Sequence, residues 1–188
     1  MSARLWETVK LLFLAAPLHD IGKIAIPDAI LQKPGTLTDE ERRVMQGHCG
    51  IGTEMLLREA RGMKPYLEWL GQDVSASIPS PSSNRFLKVA ASITQTHHER
   101  WDGKGYPGGL SGDDIPLEGR ITALADVYDA LCSKRPYKAP VNEDEASAIL
   151  REESGTHFAP AVVDAFEQAK PMVRETRKAF PDQDGAVS

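Results

Sequence analysis

Several things are scarce in this chain of 188 residues, and each scarcity excludes something. Cysteine occurs only as Cys49 and Cys132, without zinc-ligand spacing. That excludes a disulfide scaffold or a cysteine-rich zinc site and fits a reducing compartment. Positive charge is not in excess: 22 Lys and Arg against 27 Asp and Glu leave a formal net charge of -5. A general DNA-binding surface, normally basic, is therefore not expected. Long apolar runs are missing too. Leu11 to Leu18 is the strongest, far short of the roughly 20 residues that a membrane-spanning helix needs. The start, Met1 to Glu7, lacks the charged-then-apolar order of a signal peptide, so the expected location is the cytoplasm. No internal repeat and no convincing strand pair are visible.

What remains is an ordinary globular composition, 41% hydrophobic and 26% charged. This length fits one domain with a sizeable core, here expected over residues 1–180 and followed by a polar tail, 181–188. The acidic balance does not exclude an anionic substrate, because bound divalent cations can reverse the local field.

The apolar spacing is mostly helical. One helix is expected from Leu5 to Leu18, with Leu11 to Leu18 buried. Thr38, followed three residues later by Glu41, is a capping box. It opens a second helix that runs through Val44, Cys49, Ile51, Met55 and Leu56 to Leu57. Pro27 and Pro34 forbid a continuous helix between the two. Gly71 to Arg85, rich in Ser, Pro, Asn and Gly, reads as a surface loop. Helical spacing resumes from Phe86 to His98. Trp101 to Gly112 carries glycines at 103, 105, 108, 109 and 112 and must be a loop. Glu118 to Cys132 and Val141 to Glu152 are helices. Ala159 to Ala179 is one or two more, with Pro160 suited to a first turn. The expected fold class is all-α, a single helical bundle.

Chemistry enters with His19 and Asp20, directly after the strongest apolar run. Polar groups there need partners to offset lost hydration. A helix cap satisfies the doublet alone; a metal ion would satisfy both groups at once. Four of the five histidines fall in three short segments, as His19, His48 and the pair His97-His98. Imidazole and carboxylate together suit Mn, Fe, Ni or Zn. Asp126, among Leu124, Ala125 and Val127, is a carboxylate in an apolar helix and is costly to bury unpaired. Lys23 lies one turn beyond Asp20. Arg135 and Lys138 follow the Asp126 helix, where cations also complement the helix dipole. Together these groups suggest a site that grips a phosphodiester.

The sequence His19-Asp20-Ile21-Gly22-Lys23, then His48, then His97-His98-Glu99-Arg100-Trp101-Asp102-Gly103-Lys104-Gly105-Tyr106-Pro107, then Ala125-Asp126-Val127-Tyr128-Asp129 resembles the HD-GYP family. That family is a subgroup of the HD metal-dependent phosphohydrolases, and the resemblance covers residues from about 5 to 170. It implies a helical HD domain that hydrolyses cyclic di-GMP, a bacterial signalling nucleotide, to linear pGpG or GMP. The implied metal ligands are His19, Asp20, His48, His97, His98 and Asp126, with Asp20 bridging two metals. Lys23 matches a residue facing the scissile phosphate. Tyr106 matches the substrate-contacting Gly-Tyr-Pro element, and Arg135 and Lys138 match guanine or phosphate contacts. His157 is not a ligand in this pattern. Two divalent ions are implied, Fe or Mn, with Ni, Zn or Mg as substitutes. Implied partners are a second copy of the chain and GGDEF-type, sensor or receiver proteins.

One departure stands out. Family members carry a helix before the His-Asp helix with a further His ligand. Here no histidine precedes His19, and Glu7 sits on the His-Asp helix itself, where an exposed charge is expected. The expectation is one well-held metal and a weaker second one, together with an exposed apolar face on Leu5 to Leu18. The long connection from Arg58 to Arg85 is expected to overhang the site. A module that binds metal or nucleotide without turnover therefore stands as the alternative to the enzyme.

Overall fold

The computed structural model describes residues 3–58, 83–133 and 139–179. They fall into two compact units, Met1–His97 and His98–Ser188. All of the regular elements among the described residues are helical, apart from an isolated bridge between Ser154 and Phe158. The expected all-α class is borne out.

In the first unit, α1 spans Ala3–Ala15. It stops a turn earlier than the apolar spacing predicts, because Pro17 lacks an N–H and its ring clashes with a helix continued through it. A 3-10 turn over Ala16–Leu18 takes the chain into His19 and Asp20, and a second follows over Ile21–Ala25. The expected exposed apolar face of this helix is present, whereas the expected burial of Leu11 to Leu18 is not complete. Phe13 is 79% exposed and Leu14 57%. Leu5, Trp6 and Val9 are exposed as well. The inward side of α1 contributes Leu12 and Ala15 to a core with Ala90, Ile93 and Phe86. Glu7 pairs with Arg85 at 2.9 Å on the exposed side.

Three helices follow: α2 (Asp28–Leu31), α3 (Asp39–Gln46) and α4 (His48–Leu57). The capping box is present, with Glu41 N donating to Thr38 Oγ1 and Thr38 N to Glu41 Oε2. The single helix expected from Thr38 to Leu57 is broken at Gly47. Its N–H is shared between the carbonyls of Arg43 and Val44, the tightened bonding of a helix end. Glycine is a poor helix former, so the break is inexpensive there. It makes His48 the first residue of α4. The next described helix, α5 (Arg85–Thr96), is capped by Asn84, whose Oδ1 accepts from Phe86 and Leu87 N–H. Arg85, expected as the last loop residue, is therefore helical. The rest of the expected enlarged connection, 59–82, lies outside the described residues.

The second unit begins with an irregular stretch from His98 to Pro116, interrupted by one 3-10 turn at Gly112–Asp114. Helix α6 spans Leu117–Cys132, α7 Glu143–Glu152 and α8 Pro160–Ala179. Asn142 caps α7 through Glu145 N–H, so that helix starts two residues later than its apolar pattern. The core joins Leu124, Tyr128, Leu150, Phe158 and Val163. Arg174 of α8 bonds both Glu143 and Asp144 at the start of α7. Cys49 and Cys132 are buried and unbridged. Among the described residues no helix is long and apolar enough to cross a membrane.

Candidate metal centre

The His19-Asp20 turn is seated on α4 by an absence of side chains. Gly22 lies so close to α4 that a Cβ there would overlap the His48 carbonyl oxygen and come within 2.6 Å of Gly52 N. A Cβ on Gly52 would in turn lie 2.6 Å from the Thr94 methyl group. Only glycines let the main chains of the turn and α4 approach this closely and leave room for the Thr94 methyl group. Buried Thr94 on α5 donates to the Leu18 carbonyl at 3.2 Å and to Ala90 O at 2.8 Å, tying α5 to the turn. Thr53 Oγ1 of α4 donates to Gln95 Oε1 of α5 at 3.0 Å.

This seating gathers His19, Asp20, His48 and His97 of the first unit. Each imidazole spends Nδ1 on a nearby main-chain carbonyl: His19 on Ala16 at 2.8 Å, His48 on Met45 at 2.7 Å and His97 on Ile93 at 3.0 Å. A carbonyl only accepts, so Nδ1 carries the proton and a neutral ring presents a lone pair at Nε2. All three Nε2 atoms face one carboxylate. His19 Nε2 is 3.3 Å from Asp20 Oδ2, while His48 and His97 Nε2 are 3.4 and 3.8 Å from Oδ1. Donor atoms of Asp20, His48 and His97 lie within 4.8 Å of one another.

Asp20 Oδ1 is buried and accepts no hydrogen bond; its imidazole neighbours stand too far off. Lone pairs aimed at a carboxylate oxygen repel unless a cation lies between them. Two buried imidazoles, oriented from behind by carbonyls and converging on a carboxylate, are thus a set that could hold a divalent ion. Burial raises the Asp20 pKa, but hydrogen bonding from His19 and His97, available whenever those rings carry a proton on Nε2, and the Lys23 ammonium outweigh it and hold the carboxyl well below the usual range. Burial pushes His48 down, towards the neutral ring that a metal needs. Lys23 Nζ donates to Asp20 Oδ2 at 2.6 Å, so the lysine expected at a phosphate touches the central carboxylate. Cys49 Sγ is 3.4 Å from His48 Nε2, a neighbour that the spacing of the two cysteines does not reveal.

The second unit begins at His98, bonded in the chain to His97. Its ring stacks on Tyr106, with centroids 4.7 Å apart and planes 27° from parallel. Tyr106 N–H donates to His98 O at 3.2 Å. The glycine-rich loop thus folds back on the segment that starts it, and Gly105 is required there because a Cβ would lie 2.6 Å from His98 O. Asp126 is half-buried on α6. Arg135 and Lys138 lie outside the described residues. His157 stacks on Phe158, and its main-chain carbonyl accepts from Trp101 N–H. Sequence reasoning quotes Glu99 inside the motif without a role. It is a buried carboxylate that accepts from Gly108 N at 2.6 Å and Leu110 N at 3.0 Å.

Residues 5–162 match the family described as HD domain. A cyclic di-GMP phosphodiesterase of Vibrio cholerae is 49% identical over 158 residues, 84% of this chain and 28% of that protein. The cyclic di-GMP phosphodiesterase response regulator RpfG of Xanthomonas campestris is 46% identical over 169 residues, 90% of this chain and 39% of that protein. The 3'3'-cGAMP-specific phosphodiesterase 2 of Vibrio cholerae is 42% identical over 168 residues, 89% of this chain and 28% of that protein. The chain therefore spans well under half the length of these curated relatives.

Proposed function

The chain belongs to the HD domain family, and from that premise we propose that it is a metal-dependent phosphodiesterase hydrolysing cyclic di-GMP to linear pGpG or GMP. One observation carries the reading: three Nε2 atoms converge on Asp20 while every corresponding Nδ1 is committed to a main-chain carbonyl. The names of two relatives quoted above support the substrate.

The residues fit divalent ions, iron or manganese in this reading. Asp20, His48, His97 and His98 would hold one ion, and Asp20, His19 and Asp126 would hold a second. Bound divalent ions lower the pKa of a water and neutralise phosphate charge. The chain's own residues do the rest. Asp20, kept ionised by its neighbours, stays an anion across the physiological range. Lys23 offers its ammonium to a non-bridging phosphate oxygen, where one well-placed cation strengthens as charge develops. Tyr106 contacts the nucleotide, and Arg135 and Lys138 contact phosphate or guanine.

A second substrate, 3'3'-cGAMP, is favoured by the name of the third relative. It shares the cyclic dinucleotide backbone, so the metal and phosphate groups serve both and base contacts decide. The chain works in the cytoplasm in this reading, as a homodimer or with a GGDEF-type or sensor protein. The words "response regulator" in one relative's name support a receiver-type input.

The test is anaerobic purification with iron or manganese, metal quantitation, and assay of both cyclic dinucleotides. Turnover in the wild type that is lost in Asp20→Ala supports the enzyme. Nucleotide binding without turnover at full metal occupancy hands the case to a binding module.

A further inference from the structure

We infer that Glu99 is the positioning residue of the Gly-Tyr-Pro loop: its buried carboxylate clamps the main chain of Gly108 and Leu110 and thereby sets Tyr106 against the His98 ring. The inference rests on the reading of Tyr106 as a nucleotide contact, which it deepens.

Glu99 is only 2% exposed. Both of its oxygens are used, Oε1 by Gly108 N–H at 2.6 Å and Oε2 by Leu110 N–H at 3.0 Å. Hydrogen bonds to an ionised acceptor are the strong ones, and these two alternate along the far limb of the loop. The near limb is fixed by Tyr106 N–H on His98 O. Tyr106 and Pro107 are therefore held from both sides, by His98 before and by Glu99 after. Gly109, at φ +64, makes the reversal that brings Leu110 back to the same carboxylate. A Cβ on Gly108 would lie 3.0 Å from Glu99 Oε1 and press on the clamping carboxylate. Glu99 touches no reacting group in this arrangement. It acts through the loop, and its influence falls on where the Tyr106 ring sits.

Glutamine is the informative replacement. It keeps the shape but offers one acceptor, so its amide group meets an N–H donor with another donor. In Glu99→Gln, amide hydrogen exchange at Gly108 or Leu110 accelerates and the Tyr106 ring resonances move. KM for cyclic di-GMP rises roughly 10- to 100-fold, the range set by losing one buried charged hydrogen bond. At the same time kcat and bound metal stay within a factor of about two. Glu99→Asp, which keeps both acceptors on a shorter arm, recovers part of the KM and serves if the glutamine variant does not fold. Parallel collapse of kcat, metal content and KM overturns the inference in favour of a merely structural acid. So does unchanged exchange at both amides. Absence of turnover by the wild type on either cyclic dinucleotide instead sinks the functional reading. The clamp is then judged by exchange and the Tyr106 resonances alone.

Discussion

Gly22 and His48 are in main-chain contact: a Cβ on Gly22 would overlap the His48 carbonyl oxygen. The turn carrying Asp20 and the helix carrying His48 thus have no side chain between them. In Gly22→Ala, either the turn or α4 must shift, and overpacking of this kind costs about 1–3 kcal/mol. The expected outcome is a lower Tm together with weaker manganese binding by calorimetry. An alanine variant with unchanged metal affinity would show that the turn can move without disturbing the ligands.

Thr94→Val keeps the shape of the side chain but removes its bonds to Leu18 O and Ala90 O. A net loss of about 1 kcal/mol in stability is expected for a buried hydrogen bond of this type. Metal affinity should fall as well, because Leu18 immediately precedes His19. Denaturant unfolding and a metal titration on the same preparation check both parts.

Lys23 separates the chemical role from the structural one. Its ammonium lies on Asp20 and competes there with any other cation. In Lys23→Ala, metal binding should hold or tighten while turnover of cyclic di-GMP falls by about 100-fold, the scale for losing one preorganised charge. Weaker metal binding with unchanged turnover would reverse the assignment.

Asp102 supplies a pH dependence. The two-pronged bond from Arg100 holds its pKa down to about 2, from an ordinary value of 3.8. A carboxyl whose folded pKa is depressed stabilises the fold above its unfolded pKa and loses that contribution as pH falls through the folded one. The pair therefore contributes fully above about pH 4 and fades towards about pH 2. In Asp102→Asn the acid limb of the stability curve should flatten over that window, followed by circular dichroism.

The elements that sequence revealed are those whose signal is local. Thr38 and Glu41 announce their helix because a capping box is closed within four residues, and Pro160 opens α8 for the same kind of reason. The segments His19-Asp20, His48 and His97, whose donor atoms converge, are recognisable because imidazole and carboxylate announce themselves by residue type. Three features were less legible. The break at Gly47 depends on where α4 must start to aim His48, and a lone glycine inside a helical pattern does not announce that. Phe13 and Leu14 look like core because hydropathy cannot tell which side of α1 finds neighbours. Glu99 stands in a recognisable motif, yet its task is not legible there, since its partners are main-chain N–H groups nine and eleven residues away. Acceptors of that kind leave no trace in side-chain identity.

The same property bears on the imidazoles. Their orienting partners are the carbonyls of Ala16, Met45 and Ile93, which every amino acid possesses. Mutation at those three positions can change packing but cannot delete the acceptor. The aim of the rings is thus inherited from the path of the polypeptide. Drift in the surrounding side chains leaves it intact, whereas fraying at Ala16, at Gly47 or at the end of α5 does not.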